Sequence, residues 1–456
     1  MQAIPMKHTK RTSLLAGVLA TVAVLSVGCS KSADRPDQKW TPPVVASGSI
    51  AGLVGAVRLY KYQDTVMGIQ SLGKGSAKLL FLSRAGNSWS EMPVTAPAEY
   101  LWGGAAIDPQ GKRILLPEGY AENEQLVMKA FIGVITDNHG LEDMTEKEWM
   151  TDKRTLLGET GPNVKLNRPG KRYGVGLGPG ILIGSEAILP FSLHSETFFG
   201  INNVSNGPYA SGVFHSTDSG KSWQMEKVSD LDGGAPAICK TMGRYYYFAT
   251  HPLCLWASRK SIENDKWDES KAITKSLALV LGLYGVAGGN DTVHVCWEDR
   301  RHNKWRFNPE GPPIENNDIF YRYRKDSDKD WSKEVLLSEG LLYSYAPSIS
   351  AEGDKVVVVW AGIRTADKQH TDMRPNDIYY VTSKNGGKTW TEPMKVTDGV
   401  KDGMTAGMPQ LALLNGTIHL LYIQGKSEKS QELSPGLTKF DKQPWPIYYT
   451  QRPFPN

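Results

Sequence analysis

Two octapeptides share one spacing. Ser216-Thr-Asp218-Ser-Gly220-Lys-Ser222-Trp223 and Ser383-Lys-Asn385-Gly-Gly387-Lys-Thr389-Trp390 each place an acidic or amide side chain third, glycine fifth, a hydroxyl seventh and tryptophan last. Asp or Asn accepts backbone N–H bonds across a tight turn, and glycine supplies a positive φ there. The serine hydroxyl satisfies a further turn group, and the tryptophan folds back over it. An alternating apolar run precedes each copy, Ala210-Ser-Gly-Val-Phe214 and Asp377-Ile-Tyr-Tyr-Val381, and reads as a strand. Each octapeptide is therefore expected to close a hairpin.

A longer repeat surrounds these turns: a small Gly- or Pro-containing strand, a strongly apolar strand, a variable loop, an aromatic strand, the turn, and Trp. Its clearest copy joins Tyr345-Ala-Pro-Ser-Ile-Ser350, Lys355-Val-Val-Val-Val-Trp360, Asp377–Val381 and Trp390. The copy before it joins Gly285-Val-Ala, Thr292-Val-His-Val-Cys-Trp297, Asp318-Ile-Phe-Tyr-Arg-Tyr323 and Trp331, with Asp326, Asp328 and Asp330 in a turn that lacks the glycine. Looser copies span 52–89, 103–149, 174–223, 234–267 and 408–450. Seven units of this size describe an all-β protein, a β-propeller of four-stranded blades. Six blades, with the first or last unit closing another, is the alternative count, and a β-sandwich is the rival architecture. The 46 Gly, 27 Pro, 13 Trp and 19 Tyr fit a turn-rich β chain, and no long amphipathic helix is legible.

The octapeptide resembles the Asp-box, or BNR repeat, of sialidases. In that family the boxes lie on the face away from substrate, so they speak for fold rather than activity. The resemblance extends to Gly174-Val-Gly-Leu-Gly-Pro-Gly-Ile181, Ala187-Ile-Leu-Pro190 and Leu141-Glu-Asp-Met-Thr145, and is close only over about 140–225. It implies six blades, an Arg-Ile-Pro motif in the first, three arginines on a carboxylate, and a nucleophilic Tyr with a Glu partner. Here the chain departs. Val57-Arg58-Leu59 is the nearest match to the first motif, Gly233-Gly-Ala-Pro-Ala-Ile-Cys239 holds no carboxylate where Glu is expected, and Thr250-His251 replaces an expected Arg. A Tyr, with its solution pKa near 10, then lacks its base.

The N-terminus carries its own signal. Lys7, Lys10 and Arg11 precede an apolar run over 14–27, of signal-peptide rather than membrane-spanning length. It ends in Leu25-Ser-Val-Gly-Cys29, which resembles a bacterial lipobox with Ser26 where Leu is usual. The expected organisation is a lipoprotein signal over 1–29 with Cys29 lipidated, a tether over 30–45 and a propeller over 46–456. That places the protein outside the cytoplasm, on the bacterial cell envelope, with membrane contact through the anchor alone. Of the other cysteines, Cys239 and Cys254 are candidates to pair, and Cys296 reads as a buried thiol. A formal charge of +4 is too small and dispersed for nucleic acid.

In a propeller the loop leaving the second strand and the start of the inner strand share the ligand-binding face. Those positions collect Glu298, Asp299, Arg300, Arg301, Arg364, Glu118, Tyr120, His251 and Gln424 from separate units. Arg300 and Arg364 are candidates to clamp a carboxylate, with Arg58 the third arginine. Glu298 and Asp299 form a candidate carboxylate pair, and Glu118 and Tyr345, or its neighbour Tyr343, are further catalytic candidates. The plain reading of 298–301 is a salt-bridged loop, and that of Trp297 and Trp360 is packing between blades. No cofactor or metal is expected, and the acidic turn at 326–330 reads as a solvated hairpin tip before a calcium loop. Three functions stay open: a sialidase-like propeller that recognises a glycan or glycoconjugate with catalysis lost or altered, an active exo-sialidase or other glycoside hydrolase, and a protein-interaction scaffold.

Overall fold

The structure is a computed structural model and describes residues 39–455 apart from 51–56, 74–75, 84–87, 96–104, 111, 123–124, 138–140, 153–172, 196–209, 230–233, 252–253, 265, 275–283, 303–316, 365–375 and 427–444. Its strands form seven antiparallel sheets of four strands, one of them with an extra short strand. Seven blades replace the six of the family resembled. Blades one to six are contiguous in sequence, over 57–95, 106–152, 173–229, 234–272, 284–336 and 341–395.

Blade seven is closed from the other end of the chain. Its strands Met404–Leu414, Thr417–Lys426 and Trp445–Pro453 receive Val44–Ile50 as the outermost strand, antiparallel to Trp445–Pro453. The fold begins before residue 46: Thr450 Oγ1 donates to the Thr41 carbonyl at 2.7 Å, and Trp40 packs edge-on against Tyr380 at 5.3 Å. Residues 40–45, expected in the tether, thus belong to the propeller.

Why the second strands read as unbroken apolar runs is visible in blade six. Successive side chains of a strand point to opposite faces. Val356, Val358 and Trp360 enter the core shared with blade five, whereas Val357, Val359 and Ala361 enter the core shared with blade seven. All six are fully buried. Seven such cores occur, one between each pair of neighbouring blades around the ring, including blades seven and one. Burying both faces of each sheet is the main stabilising term, since area removed from water is worth about 25 cal/mol per Å².

The two octapeptides fold alike. Ser216 Oγ accepts from Gly220 N at 2.9 Å and donates to Asp218 Oδ1, which accepts from Ser222 N at 2.8 Å. Ser383, Gly387, Asn385 and Thr389 repeat this at 2.9 Å and 2.9 Å. The hydroxyl of Ser222 donates to Asp218, whereas the Asn385 amide donates to Thr389, so Asn substitutes by reversing one donor. Gly220 and Gly387 have φ of 82° and 84°, and their carbonyls accept from Trp223 and Trp390 Nε1.

Both tryptophans pack onto the preceding blade's core. So do Trp89, Trp267 and Trp331 of blades one, four and five, whose turns have lost the octapeptide. The tryptophan is a blade-to-blade contact first and a turn cover second.

Candidate functional site on the face opposite the octapeptide turns

The third strand of each blade runs toward the octapeptide turn. The second strand is antiparallel to it, so its C-terminal end, the start of strand three and the start of the inner strand share the opposite face. In blade five that face holds the ends of Thr292–Asp299 and Asp318–Lys325, and blade six adds the start of Leu341–Glu352.

Glu298 is 1% exposed. Its Oε1 accepts from Asn317 Nδ2 at 2.6 Å and from Arg300 Nη2 at 3.4 Å, while Oε2 has no hydrogen-bond partner. Burial pushes the carboxyl above its ordinary range, opposed by the Arg300 charge, the nearby Ala346 amide and Asn317. Ala346 has φ of 53° directly before Pro347, at a bulge between Tyr345 and Ser348. Met408, before Pro409 in blade seven, repeats this with φ of 50°. A non-glycine residue in that region is strained, and here the strain sits where two inner strands reach this face.

Asp299 points the other way. It accepts from Trp297 Nε1 at 3.1 Å, from Arg301 N at 2.8 Å and from Arg301 Nε at 2.8 Å. Arg301 continues to Glu334 at 2.9 Å and lies 4.3 Å above the Phe320 ring. The plain reading of this loop describes Asp299 and Arg301: both are tied into a network facing blade four. Glu298 and Asp299 are therefore not a pair of facing carboxylates, because neighbours in a strand diverge.

The nominated arginines do not share a partner. The Arg58 charge acts on the hydroxyls of Tyr60 and Tyr284, on the inner strands of blades one and five, against the larger effect of their burial. Arg364 lies 5.9 Å over the Tyr379 ring and donates to the Pro393 carbonyl at 3.0 Å, toward the outer strand of its blade. A clamp of Arg300 with Arg364 is replaced by these separate contacts. Tyr345 Oη accepts from the Asn376 amide at 3.2 Å, and its ring lies 5.5 Å from that of Tyr343. The side chains of Glu118, Tyr120 and His251 lie outside the described residues, as does Cys29.

Asn317 and Asn376 were missed, although a repeat marks them: Asn317-Asp318-Ile319 and Asn376-Asp377-Ile378. In both, the Asn carbonyl accepts from the next inner strand, from Ser344 N at 2.9 Å and Ala406 N at 2.8 Å. In both, a later hydroxyl, Ser338 or Thr397, donates to the Asp and accepts from the Ile amide. This motif welds neighbouring blades on the site face as the tryptophans do on the other.

Other expectations resolve elsewhere. Trp297 and Trp360 are fully buried between blades. Cys239, Cys254 and Cys296 are free thiols, and Cys239 pairs in register with Tyr246 while Cys254 pairs with His251, at opposite ends of the intervening strand. Asp326 is no exposed hairpin tip, because it accepts from Thr241 Oγ1 at 2.8 Å, Tyr246 Oη at 3.0 Å and Gly243 N at 3.1 Å across the blade four–five boundary. Among the described residues no group of three His, Cys, Asp or Glu side chains is placed to hold a metal.

The fold defines the class: a seven-bladed β-propeller with a polar face at its strand-two ends. No known protein family matches the sequence, and no curated protein does. Solved structures to which the chain is similar include the NanB sialidase of Streptococcus pneumoniae, at 11% identity over 91% of this chain and 70% of that one, with a TM-score of 0.41. The Trypanosoma rangeli sialidase is similar at 9% identity over 91% and 58%, with a TM-score of 0.42. The intramolecular trans-sialidase of Ruminococcus gnavus is similar at 10% identity over 90% and 96%, with a TM-score of 0.41. The seven-bladed fold rests on the strand pairing described above, not on these similarities.

Proposed function

We propose that this chain is an exported, lipid-anchored, sialidase-like propeller whose strand-two face recognises a glycan or glycoconjugate, with hydrolysis lost or altered. The observation that carries the reading is Arg300. Its side chain is 20% exposed, its Nη2 rests on the buried Glu298, and its Nε is buried without a partner, so the exposed edge of the guanidinium is the part that can meet a ligand. A guanidinium seated on a buried carboxylate is held in place, with donors left for sugar oxygens or a sugar carboxylate. Glu298 acts here as the positioning residue.

The case against hydrolysis comes from the same contacts. Asp299 is committed to Arg301 and Trp297, and Glu298 is sealed beneath Arg300 and Asn317.

The test is an NMR time course of the full chain with sialyllactose and with neutral and acidic oligosaccharides. Saturation transfer to intact sugar is expected, lost in Arg300→Ala and weakened in Glu298→Gln. Monosaccharide release that Glu298→Gln abolishes would make the protein a hydrolase. Neither signal at millimolar sugar would leave the face as a protein-docking surface.

A further inference from the structure

Between blades four and five the apolar core gives way, outward, to a groove of about 500 Å³. Small-molecule sites commonly occupy volumes of about 300–1,000 Å³. Six basic side chains line it: Arg259, Lys271, Arg322, Arg324, Lys329 and Lys333. Three acids, Asp268, Glu269 and Asp330, stand against them.

The internal repeat shows what is unusual. Aligned on strand three and its turn, Arg322 takes the place of Phe214 in blade three and Val381 in blade six, both buried apolar side chains. Blade five has put a guanidinium into a slot its sister blades fill with hydrocarbon. Arg322 is only 6% exposed. Its Nη1 donates to the Ile273 carbonyl at 2.6 Å, and Nη2 lies 3.8 Å from Glu334 Oε1. Nε is buried with no partner, and a buried charged donor left unpaired is costly.

The neighbouring cations are unevenly matched. Arg324 donates to the carbonyls of Asp328 and Lys329, and among the described residues no carboxylate lies within ion-pair distance of it. Arg259 has Asp268 at 2.9 Å. Among the described residues, no acid lies within ion-pair distance of the rim ammonium groups of Lys271, Lys329 and Lys333. Burial pushes the guanidinium groups of Arg322 and Arg324 down; Glu334 opposes this at Arg322 and the Arg301 charge adds to it, while at Arg324 the Arg259 charge adds to it and Tyr246, Asp268 and Asp330 oppose it. Trp331 supplies an aromatic wall.

We propose that this groove binds a small molecule carrying a phosphate or sulfate ester, the oxyanion held by Arg322 and Arg324 and the organic part laid along Trp331. Guanidinium matches a tetrahedral oxyanion through charge-assisted bonds that carbonyl partners cannot replace. The site lies at a blade boundary and is independent of the Arg300 reading.

The experiment is calorimetric titration of the full chain with inorganic phosphate, inorganic sulfate and a hexose 6-phosphate, against chloride at equal ionic strength. Saturable binding is expected, with the hexose phosphate tightest. Arg322→Gln should weaken it about tenfold or more. Lys329→Ala and Lys333→Ala, on the exposed rim, should each weaken it about two- to fivefold without touching the fold. Sulfate binding as tightly as phosphate marks a sulfate-ester site, and phosphate alone marks a phosphate-ester one. No saturable binding, or binding that both rim variants leave intact, overturns the proposal even if Arg322→Gln fails to fold.

Discussion

Glu298 and Asp299 leave one strand on opposite faces, Glu298 toward Asn317 and the inner strand of blade six, Asp299 toward Trp297 and Arg301. Their substitutions should therefore behave differently. Asp299→Asn removes the charge from a buried ion pair and is expected to cost about 2–4 kcal/mol in urea denaturation. Glu298→Gln keeps an acceptor for Asn317 and loses only a long ion pair, with Arg300 Nη2 at 3.4 Å, so it should cost about 1 kcal/mol at neutral pH, less than Asp299→Asn. The sign with pH follows from burial. The folded carboxyl of Glu298 titrates above its ordinary range, so the wild type loses stability as pH rises through that interval, and the variant does not. The variant's relative stability should fall on going from pH 7 to pH 4. Equal costs for the two substitutions would show that they share one environment.

The octapeptide glycines are seated against different neighbours. A methyl group at Gly387 would lie 1.8 Å from the Tyr321 hydroxyl, which His294 Nδ1 holds at 2.7 Å inside the core. At Gly220 it would meet the end of Ile132, a flexible side chain, at 2.0 Å. Both positions require positive φ, which costs alanine about 1 kcal/mol. Gly387→Ala should cost about 3 kcal/mol and Gly220→Ala about 1–2 kcal/mol, the excess being the displaced hydroxyl. Thermal or urea unfolding of both variants measures this, and the reverse order would mean that Tyr321 moves aside freely.

Much of this fold is legible because it repeats. The apolar second strands count the blades, and the octapeptides and the tryptophans at 89, 223, 267, 331 and 390 mark five of them. What the repeat cannot show is closure: Val44–Ile50 pairs with Trp445–Pro453 across nearly the whole chain, and nothing local to either strand marks the other. The site face is less legible than the fold. Glu298 and Asp299 look like a pair in sequence, yet the two-residue period of a strand already separates them. Arg364 and Arg301 look free, but cationic side chains in a strand-rich protein readily settle on aromatic faces and carbonyls. Asn317 and Asn376 were readable as a repeat, since each precedes an Asp-Ile strand start.

Lipidation at Cys29 makes a prediction separate from the propeller. The full chain expressed in a bacterium should incorporate a labelled fatty acid and partition with membranes, and Cys29→Ser should abolish both while leaving the propeller folded by circular dichroism. A soluble, unlabelled wild type would mean that the leader is cut without acylation. One acyl chain binds membranes only marginally, so a stable membrane fraction also argues for more than one.

The boundary between blades three and four should set how stability depends on alkaline pH. His215 lies between two carboxylates, Nε2 3.2 Å from Glu186 and Nδ1 3.1 Å from Glu226. Lys240 and Tyr245 also face Glu186, and Lys260 and Trp267 face Glu226. Bonds to the two carboxylates raise the His215 pKa to about 9, against an opposing effect of burial. The same bonds, with those from the lysines, overcome burial to bring Glu186 and Glu226 down to about 2. A raised imidazole stabilises fully below its unfolded pKa of about 6.5 and loses that contribution as pH climbs through about 9. The lowered carboxylates contribute above about pH 4.5 and lose their contribution as pH falls toward 2. His294 and His419 act in the opposite sense to His215: burial lowers both to about 4, so they remove stability as pH falls from 6.5. They sit in blades five and seven beside Tyr321 and Tyr449 and share no partner with His215. Subtracting His215→Gln from wild type therefore isolates the cluster. The three side chains are 16–19% exposed, so solvent screens them in part and the difference should be about 1–2 kcal/mol at pH 6 rather than the full value of the shift. It should shrink toward zero by about pH 10, where the imidazole is neutral in both states. Urea unfolding of the pair at pH 6, 8 and 10 decides it, and a difference that does not change with pH would mean that His215 holds its two glutamates as a neutral ring.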